Sequence, residues 1–203
     1  MVTPLPLRER NKVRIRAELL EAVLQSFLPG DKTALTLEVV AQRTGCSRAT
    51  VYTYFPGGLN EMLSAVYAQI SDEVICEAEQ LHDGAQDAHA RIMGLAHALL
   101  NIAQQPKRGP FFAQLDPSLI PALQPALGRA SQRFESLIAV ELQGRIDAEP
   151  RVVAALLVGA MREASVRVAR EPSRREAYTA ALSATIVRLL GKAPPRRTGR
   201  HRS

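Results

Sequence analysis

Apolar residues recur three or four positions apart along most of the chain, and no segment alternates apolar and polar residues as a β-strand does. The first apolar stripe predicts a helix from about Asn11 to Leu28, ended by Pro29-Gly30. The Pro-rich residues 1–9 before it are predicted to be loose. The pattern therefore predicts an all-α fold.

Two short helices joined by a tight turn are predicted next. Thr36 and Ser47 are each placed to cap the N-terminus of a helix, and Gly45 suits the positive φ that ends the first one. Val51 and Phe55 are four residues apart, so they share the face of the second helix that packs on the first. The pattern predicts a helix-turn-helix.

The outward face of the second helix has an unusual composition for a surface in water, where Glu and Lys are normal. It consists of Arg48, Ala49, Thr50, Tyr52, Thr53 and Tyr54. Basic, hydroxyl-bearing and aromatic side chains of this kind are suited to contacts with phosphates and base edges. The second helix is therefore predicted to be the recognition helix of a DNA-binding domain.

Proline and glycine residues divide the remainder of the chain into further elements. These are, in order, a helix of about residues 59–81, a helix of about 86–104, a loop at 106–110, a short apolar piece at 111–115, a helix that ends at Gly144, a helix from Pro150 to about Arg170 and a helix from Pro172 to about Gly191. Pro117, Pro121 and Pro125 are predicted to break up the chain before the helix that ends at Gly144. The basic tail, residues 192–203, is predicted to be disordered.

Charge is unevenly distributed along the chain. Residues 1–60 carry eight Lys or Arg against five Asp or Glu, residues 61–191 carry thirteen against fifteen, and residues 192–203 carry five against none. Both ends are basic and the middle is slightly acidic, as expected of a DNA-binding head on a neutral body. A generally Arg-rich composition explains part of the positive charge, so the prediction of DNA binding depends more on the helix-turn-helix motif than on the charge.

The residues around the predicted turn resemble a known family. The segment Thr36-Leu37-(x)3-Ala41-(x)3-Gly45-Cys46-Ser47-(x)2-Thr50-Val51-Tyr52-Thr53-Tyr54-Phe55-Pro56 is similar to the N-terminal signature of the TetR (tetracycline repressor-like) transcriptional regulators. The resemblance covers roughly residues 12–67. From about Asp72 onward, the chain agrees with the family only in its length and its predicted helices.

The resemblance implies roles for the residues at the start of both short helices. Thr36 would bind a phosphate with its hydroxyl and the backbone N–H groups beside it. Ser47 and Arg48 would open the recognition helix, with Arg48 contacting a guanine or clamping a phosphate. The methyl group of Thr50 would meet a thymine methyl.

The two tyrosines of the recognition helix are implied to reach the DNA backbone. In this family, residues at the positions of Tyr52 and Tyr54 commonly contact phosphates. Packing beneath the following helix is an equal alternative for Tyr54. Ala49 and Thr53 complete the outward set.

The chain departs from the family pattern at the start of the next helix. Many members carry a Lys or Arg there that grips a phosphate, whereas this chain has Leu59 after the extra glycine of Pro56-Gly57-Gly58. The backbone N–H groups of Gly57 and Gly58 are expected to replace part of that contact. DNA binding is expected to be slightly weaker and less sensitive to salt than in a relative with the Lys.

The resemblance also implies a body that binds a small molecule. Candidates to line an apolar cavity with a few polar groups are His97, Asn101, Phe111, Phe112, Phe134, Met161 and Arg162. Arg162 and Glu163 interrupt an apolar stretch, so they would recognise a polar group of a ligand, pair across a dimer seam, or face solvent. The scarcity of aromatic residues disfavours a quaternary amine as the ligand.

Other kinds of chemistry find little support in the sequence. Cys46 and Cys76 form no CxxC motif and are expected to be reduced thiols, with redox sensing a minor alternative for Cys46. His82 and His89 lack the spacing of metal ligands, and no catalytic or cofactor motif is present. Neither a signal peptide nor a membrane-spanning stretch is found. The chain is therefore expected to be a cytoplasmic, nucleoid-associated protein and not an enzyme, without catalytic residues, metal or cofactor.

These expectations combine into one picture of the whole chain. Residues 1–58 would form the DNA-binding head, 59–191 the effector-binding and dimerisation body, and 192–203 the tail. A homodimer would bind a palindromic double-stranded operator and release it when a small molecule enters the body. The alternative is a DNA-binding regulator without an effector, gated by a protein partner or by concentration.

Overall fold

The computed structural model of the chain describes residues 6–31, 33–114 and 120–191. Within these residues the chain forms nine α-helices and no β-strand, which confirms the predicted all-α class. The helices are α1 (Leu7–Gln25), α2 (Leu37–Thr44), α3 (Arg48–Tyr54), α4 (Gly58–Asp83), α5 (Ala88–Ala103), α6 (Arg108–Gln114), α7 (Ile120–Leu142), α8 (Pro150–Arg170) and α9 (Arg175–Leu190).

The predicted helix-turn-helix is confirmed down to its caps. The Thr36 hydroxyl accepts a hydrogen bond from the Val39 N–H at the start of α2, and the Ser47 hydroxyl accepts one from the Thr50 N–H at the start of α3. Gly45 ends α2 at a φ of +66°, a value that a side chain would disfavour. Each cap satisfies a backbone donor that the helix itself leaves free.

Several predicted boundaries are wrong, mostly at prolines. Residues 106–110 are not entirely a loop, because α6 begins at Arg108 and runs through Pro110. Pro121 and Pro125 do not interrupt the chain, since both lie inside α7. A proline in the first turn of a helix forfeits no helical hydrogen bond, which accounts for Pro110 and Pro121. Pro125 forfeits one, which the remaining turns of this long helix outweigh.

The two ends of the chain also differ from expectation. The first helix begins at Leu7 and ends at Gln25, earlier than predicted at both ends. Pro150 opens α8 as predicted, but Pro172 opens a 3₁₀ turn and α9 begins at Arg175. The predicted disorder of the tail and the predicted break at Pro117 lie outside the described residues.

The helices pack around one continuous apolar core that runs from the N-terminal bundle (α1–α3) into the C-terminal bundle (α4–α9). Helix α4 joins the two, since α1 packs on it in the N-terminal bundle and α5 and α7 pack on it in the other. Helix α8 packs on α5, α6 and α7, and α9 packs on α5 and α8. No helix in the described part of the chain is long and apolar enough to cross a membrane.

Candidate nucleic-acid interface and ligand cavity

Helix α3 has one face in the core and one face in solvent. Val51 and the adjoining Phe55 are fully buried, whereas Tyr52 keeps 44% of its surface exposed. Arg48, Ala49 and Thr53 are also exposed, and Thr50 is half-buried. The predicted outward face is therefore mostly free to meet a partner.

The hydroxyl groups on this face already have partners within the helix. The hydroxyls of Ser47 and Thr50 lie 2.8 Å apart, and the Thr53 hydroxyl donates to the Ala49 carbonyl at 2.9 Å. The Thr53 donor is therefore occupied and the Thr50 hydroxyl is paired with that of Ser47, which leaves the two threonine methyl groups suited to apolar contact.

Arg48 lies at the N-terminus of α3, where it forms an ion pair with Glu38 of α2 at 2.7 Å. Both side chains are more than half exposed, so water weakens the pair. Hydrogen bonds from the backbone of Glu38 and from Thr36, and then the charge of Arg48, lower the pKa of Glu38. Because the pair is weak, the Arg48 guanidinium remains available to another anionic or hydrogen-bonding partner.

Tyr54 faces away from the exposed side of α3. Its side chain is half-buried and packs against the apolar core, which favours the packing alternative over a phosphate contact. Its carbonyl oxygen accepts a hydrogen bond from the Arg16 guanidinium at 3.0 Å, and the same guanidinium lies 4.2 Å from the centre of the Phe55 ring. Arg16 thus holds the C-terminal end of α3 against α1, a role that the sequence analysis missed.

Arg16 belongs to a row of basic residues on α1. Arg8 and Lys12 precede Arg16 by two turns and one turn, so the three share one side of α1. Arg8, Arg10 and Lys12 are exposed, and their side chains have no ion-pair partner within the described residues. Exposed positive charge of this kind is what binding to a DNA backbone would use.

The structure contradicts the expectation that Gly57 and Gly58 offer free N–H groups to a phosphate. The Gly57 N–H donates to the Glu61 carboxylate at 2.8 Å, and the Gly58 N–H donates to the Phe55 carbonyl at 2.9 Å. Both donors are therefore occupied inside the protein. Leu59 is half-buried and packs on the core, so the residue that replaces the expected Lys has a packing role.

A cavity of about 330 Å³ lies in the C-terminal bundle between α4, α5, α6, α7 and α8. Its apolar wall includes Tyr67, Val74, Leu99, Phe112, Phe134 and Val158. Its polar groups come from Ser71, Ser131, Ser165, Arg162, Glu163 and Arg170. This volume is at the lower end of the range of roughly 300–1,000 Å³ typical of small-molecule sites.

Three of the seven predicted ligand residues line this cavity, namely Phe112, Phe134 and Arg162. Phe111 and Met161 are fully buried and do not line it. The ring of Phe111 instead packs edge-on against Phe27, with 5.0 Å between ring centres. These two residues belong to the core that supports the cavity.

The two polar residues predicted on α5 lie elsewhere. The Asn101 amide donates to Glu77 and accepts from Arg175, each at 2.5 Å, so it ties α5 to α4 and α9. His97 lines a separate open groove between α5 and α9 together with His89 and Arg175. Burial and then the charge of Arg175 lower the pKa of His97, so this ring is a neutral group at pH 7.

Helix α6 connects the cavity with the N-terminal bundle. Phe112 lines the cavity, while the neighbouring Phe111 packs on Phe27 after the end of α1. Gln114, also on α6, donates to the Phe27 carbonyl at 2.7 Å. Lys107, just before α6, forms an ion pair with Glu21 of α1.

Helices α8 and α9 leave apolar surface exposed. Val152 and Leu156 on α8 are 53% and 69% exposed, and Val187 on α9 is 53% exposed. Small exposed residues continue both surfaces: Gly159 and Ala160 on α8, and Ala177, Ala180, Ala181 and Ala184 on α9. A surface of this kind is typical of helices that pack on another chain.

No protein-family model matches the chain, and no curated protein matches it. Solved structures do match it. A TetR-family transcriptional regulator from Pectobacterium atrosepticum is 22% identical, covers 91% of this chain and 98% of its own, and has a TM-score of 0.71. The fatty acid degradation regulator FadR from Bacillus halodurans is 14% identical over 88% and 99%, with a TM-score of 0.68.

A third structure with this fold contains a ligand. RolR in complex with resorcinol is 18% identical, covers 92% of this chain and 98% of its own, and has a TM-score of 0.59. At these identities the likeness concerns the fold. The chain has the fold of the TetR-family regulators over nearly its whole length.

Proposed function

We propose that this protein, whose fold is that of the TetR-family regulators, is a transcriptional regulator that binds DNA through α3 as a homodimer. It acts in the cytoplasm on the nucleoid, as a repressor that releases its operator when a small molecule occupies the cavity. The observation that carries the proposal is the exposed face of α3, which is capped, rigidly packed on its inner side and free of acidic residues. Such a face has no evident use in water and fits a DNA groove.

In this proposal residues 1–58 form the head that binds DNA, and residues 59–191 form the body. Helix α3 enters the major groove, with Arg48 leaving Glu38 for a guanine or a phosphate. Tyr52 and the basic residues of α1 neutralise the flanking backbone. Tyr54 supports the helix from within and does not touch DNA.

The homodimer brings two heads onto one duplex. The exposed apolar surfaces of α8 and α9 pair with those of a second copy, since isolated surfaces of this kind are otherwise left in water. A two-fold axis between the heads matches a palindromic operator whose half-sites are about one helical turn, ~34–36 Å, or a multiple apart.

The effector acts by displacing the helices that border the cavity. Helix α4 lines the cavity with Tyr67, Ser71 and Val74 and also packs on the N-terminal bundle. Helix α6 lines it with Phe112 and bonds to the end of α1 through Gln114. A ligand that moves α4 or α6 therefore moves the head and changes the distance between the two recognition helices.

A mainly apolar cavity of this size favours this proposal over a regulator gated by a protein partner or by concentration alone. RolR, which binds resorcinol, is a precedent for a small ligand in this fold. In the rival account, no small molecule changes the affinity for DNA.

The proposal is tested by mobility shift on the DNA upstream of the protein's own gene. We expect saturable binding by the native protein and its loss in the double variant Arg48→Ala, Tyr52→Ala. Arg145→Ala is the matched control, because it removes the same charge from an exposed position far along the chain from α3. Equal loss in the control would mean that net charge is being measured, and binding unaffected by the double variant would exclude α3 as the reading helix.

A further inference from the structure

The polar groups of the cavity do not balance one another. Of its charged residues, Glu163 is neutralised by Arg167 at 2.6 Å, and the Arg170 Nε donates to the Ala113 carbonyl at 3.1 Å. Arg162 has no hydrogen-bond or ion-pair partner for its side chain within the described residues. Arg162 is therefore an exposed cation at the edge of the cavity whose donors have no partner within the described residues.

Two hydroxyl groups line the same cavity without partners of their own. Tyr67 and Ser71 are one turn apart on α4, both line the cavity, and both are buried. Neither hydroxyl makes a hydrogen bond within the described residues. Burial raises the pKa of Tyr67 and the nearby charge of Arg162 opposes it, so the phenol is protonated at neutral pH and available as a donor.

We propose that the cavity takes an organic acid, with the carboxylate bound by Arg162 and the Tyr67 and Ser71 hydroxyls and the apolar body packed between Phe112 and Phe134. The inference rests on the proposed function in one respect, that the acid is the effector. The planar guanidinium matches a carboxylate by two parallel hydrogen bonds, and the two hydroxyls donate to its remaining lone pairs.

Other ligand classes fit these groups less well. Arg162 would repel a cationic ligand, and a neutral ligand would gain no ion pair from its exposed guanidinium. A dianion such as a phosphomonoester would be repelled by Glu163 about twice as strongly as a single carboxylate, and one donor of Arg170 is already bonded to the Ala113 carbonyl. A ligand with one carboxylate on an apolar body fits both the free donors and the apolar wall of the cavity.

The inference is tested with acids and their amides, which share a carbon skeleton and differ in charge. Hexanoate, octanoate and phenylacetate are titrated by calorimetry into the native protein beside hexanamide, octanamide and phenylacetamide. We expect at least one acid to bind more tightly than its amide. Arg162→Gln should lower the affinity for that acid by roughly tenfold to a hundredfold and leave the affinity for the amide nearly unchanged.

Two further variants separate binding from general damage. Arg151→Gln removes the same charge about three turns away on α8, outside the cavity, and should keep the preference for the acid. Tyr67→Phe removes one hydrogen-bond donor and should lower the affinity for the acid more than the affinity for the amide. The inference is overturned if no acid binds better than its amide, or if the preference survives Arg162→Gln.

The DNA mobility shift, run on the same samples, distinguishes the two proposals. If an acid binds through Arg162 but does not release DNA, the cavity binds acids as proposed, but the acid is not the effector. Failure of the native protein to bind DNA removes the proposed function and leaves the acid site standing. If only a neutral compound releases DNA, the proposed regulator function stands and the proposal that the effector is an organic acid is refuted.

Discussion

Gly109 lies at the point where α6 turns back on α5, and we predict that Gly109→Ala destabilises the protein. A Cβ at this position would lie 2.1 Å from the carbonyl oxygen of Ala103. That is about 1.3 Å short of the 3.4 Å at which ordinary van der Waals contact begins. This oxygen belongs to the backbone of a buried residue, so it cannot move away by a change of rotamer as the end of a flexible side chain can.

The size of the effect follows from what has to move. Gly109 is itself buried, and its N–H donates to the Gln105 carbonyl at 2.9 Å, so α6 is fixed on both sides of the clash. Overpacking of this kind lowers the free energy of unfolding by roughly 1–3 kcal/mol. For a chain of this length that corresponds to a fall in Tm of roughly 2–12 °C.

The assay is thermal unfolding followed by circular dichroism at one protein concentration, because dimerisation makes Tm depend on concentration. Gly128→Ala on α7 is the matched control, since a Cβ there would meet nothing within 4 Å. That control should raise Tm slightly, because alanine is the better helix former. An unchanged Tm for Gly109→Ala would refute the close packing of α6 on α5.

Three further substitutions are expected to have definite results. Asp87→Ala removes the carboxylate that caps α5 and should lower the free energy of unfolding by about 1 kcal/mol in a urea titration, with the exposed Asp147→Ala as control. Leu59→Lys should strengthen DNA binding and steepen the dependence of log K on log salt by about 0.9 per head, and an unchanged slope would show that no phosphate is within reach. Hydrogen bonds from the backbone and side chain of Thr33, and then from Arg43, lower the pKa of Asp31 below 3.8, so its stabilising effect is complete above about pH 4 and is lost as the pH falls through the folded-state pKa. The urea midpoint of Asp31→Asn should therefore lie below that of the native protein at pH 7 and approach it on acidification, and a gap that persists at the lowest pH would contradict this.

The features that the sequence predicted well are determined by neighbours along the chain. Thr36, Gly45 and Ser47 cap and end helices through contacts within three or four residues, so the motif alone placed them. The departure at Leu59 was also visible, but the fate of the glycine N–H groups was not. That depended on where the side chain of Glu61 lies, which only the folded helix settles.

The cavity was only partly predictable because its walls come from distant segments. Phe111 and Phe112 are adjacent and equally apolar, yet one packs on Phe27 and the other lines the cavity, because α6 packs on α8 and also meets the segment after α1. Asn101 was placed in the cavity, but α9 lies over that part of α5 and supplies Arg175 to bind it. No periodicity within α5 or α6 contains this information.

The contact between α1 and the end of α3 was missed for a similar reason. Arg16 reaches a carbonyl 38 residues further along the chain, at the end of α3. The alternate basic residues of α1 were visible, but nothing in the sequence showed that Arg16 reaches the end of α3.

The most direct test of the central claim is selection of binding sites from a pool of random DNA duplexes, with native protein and Arg48→Ala compared by sequencing. The account predicts an enriched inverted repeat, with half-site centres ~10 base pairs or a multiple apart, and a preference that relaxes at one symmetric position in the variant. No enrichment by the native protein, or an identical enriched sequence for the variant, would contradict the claim that α3 reads DNA.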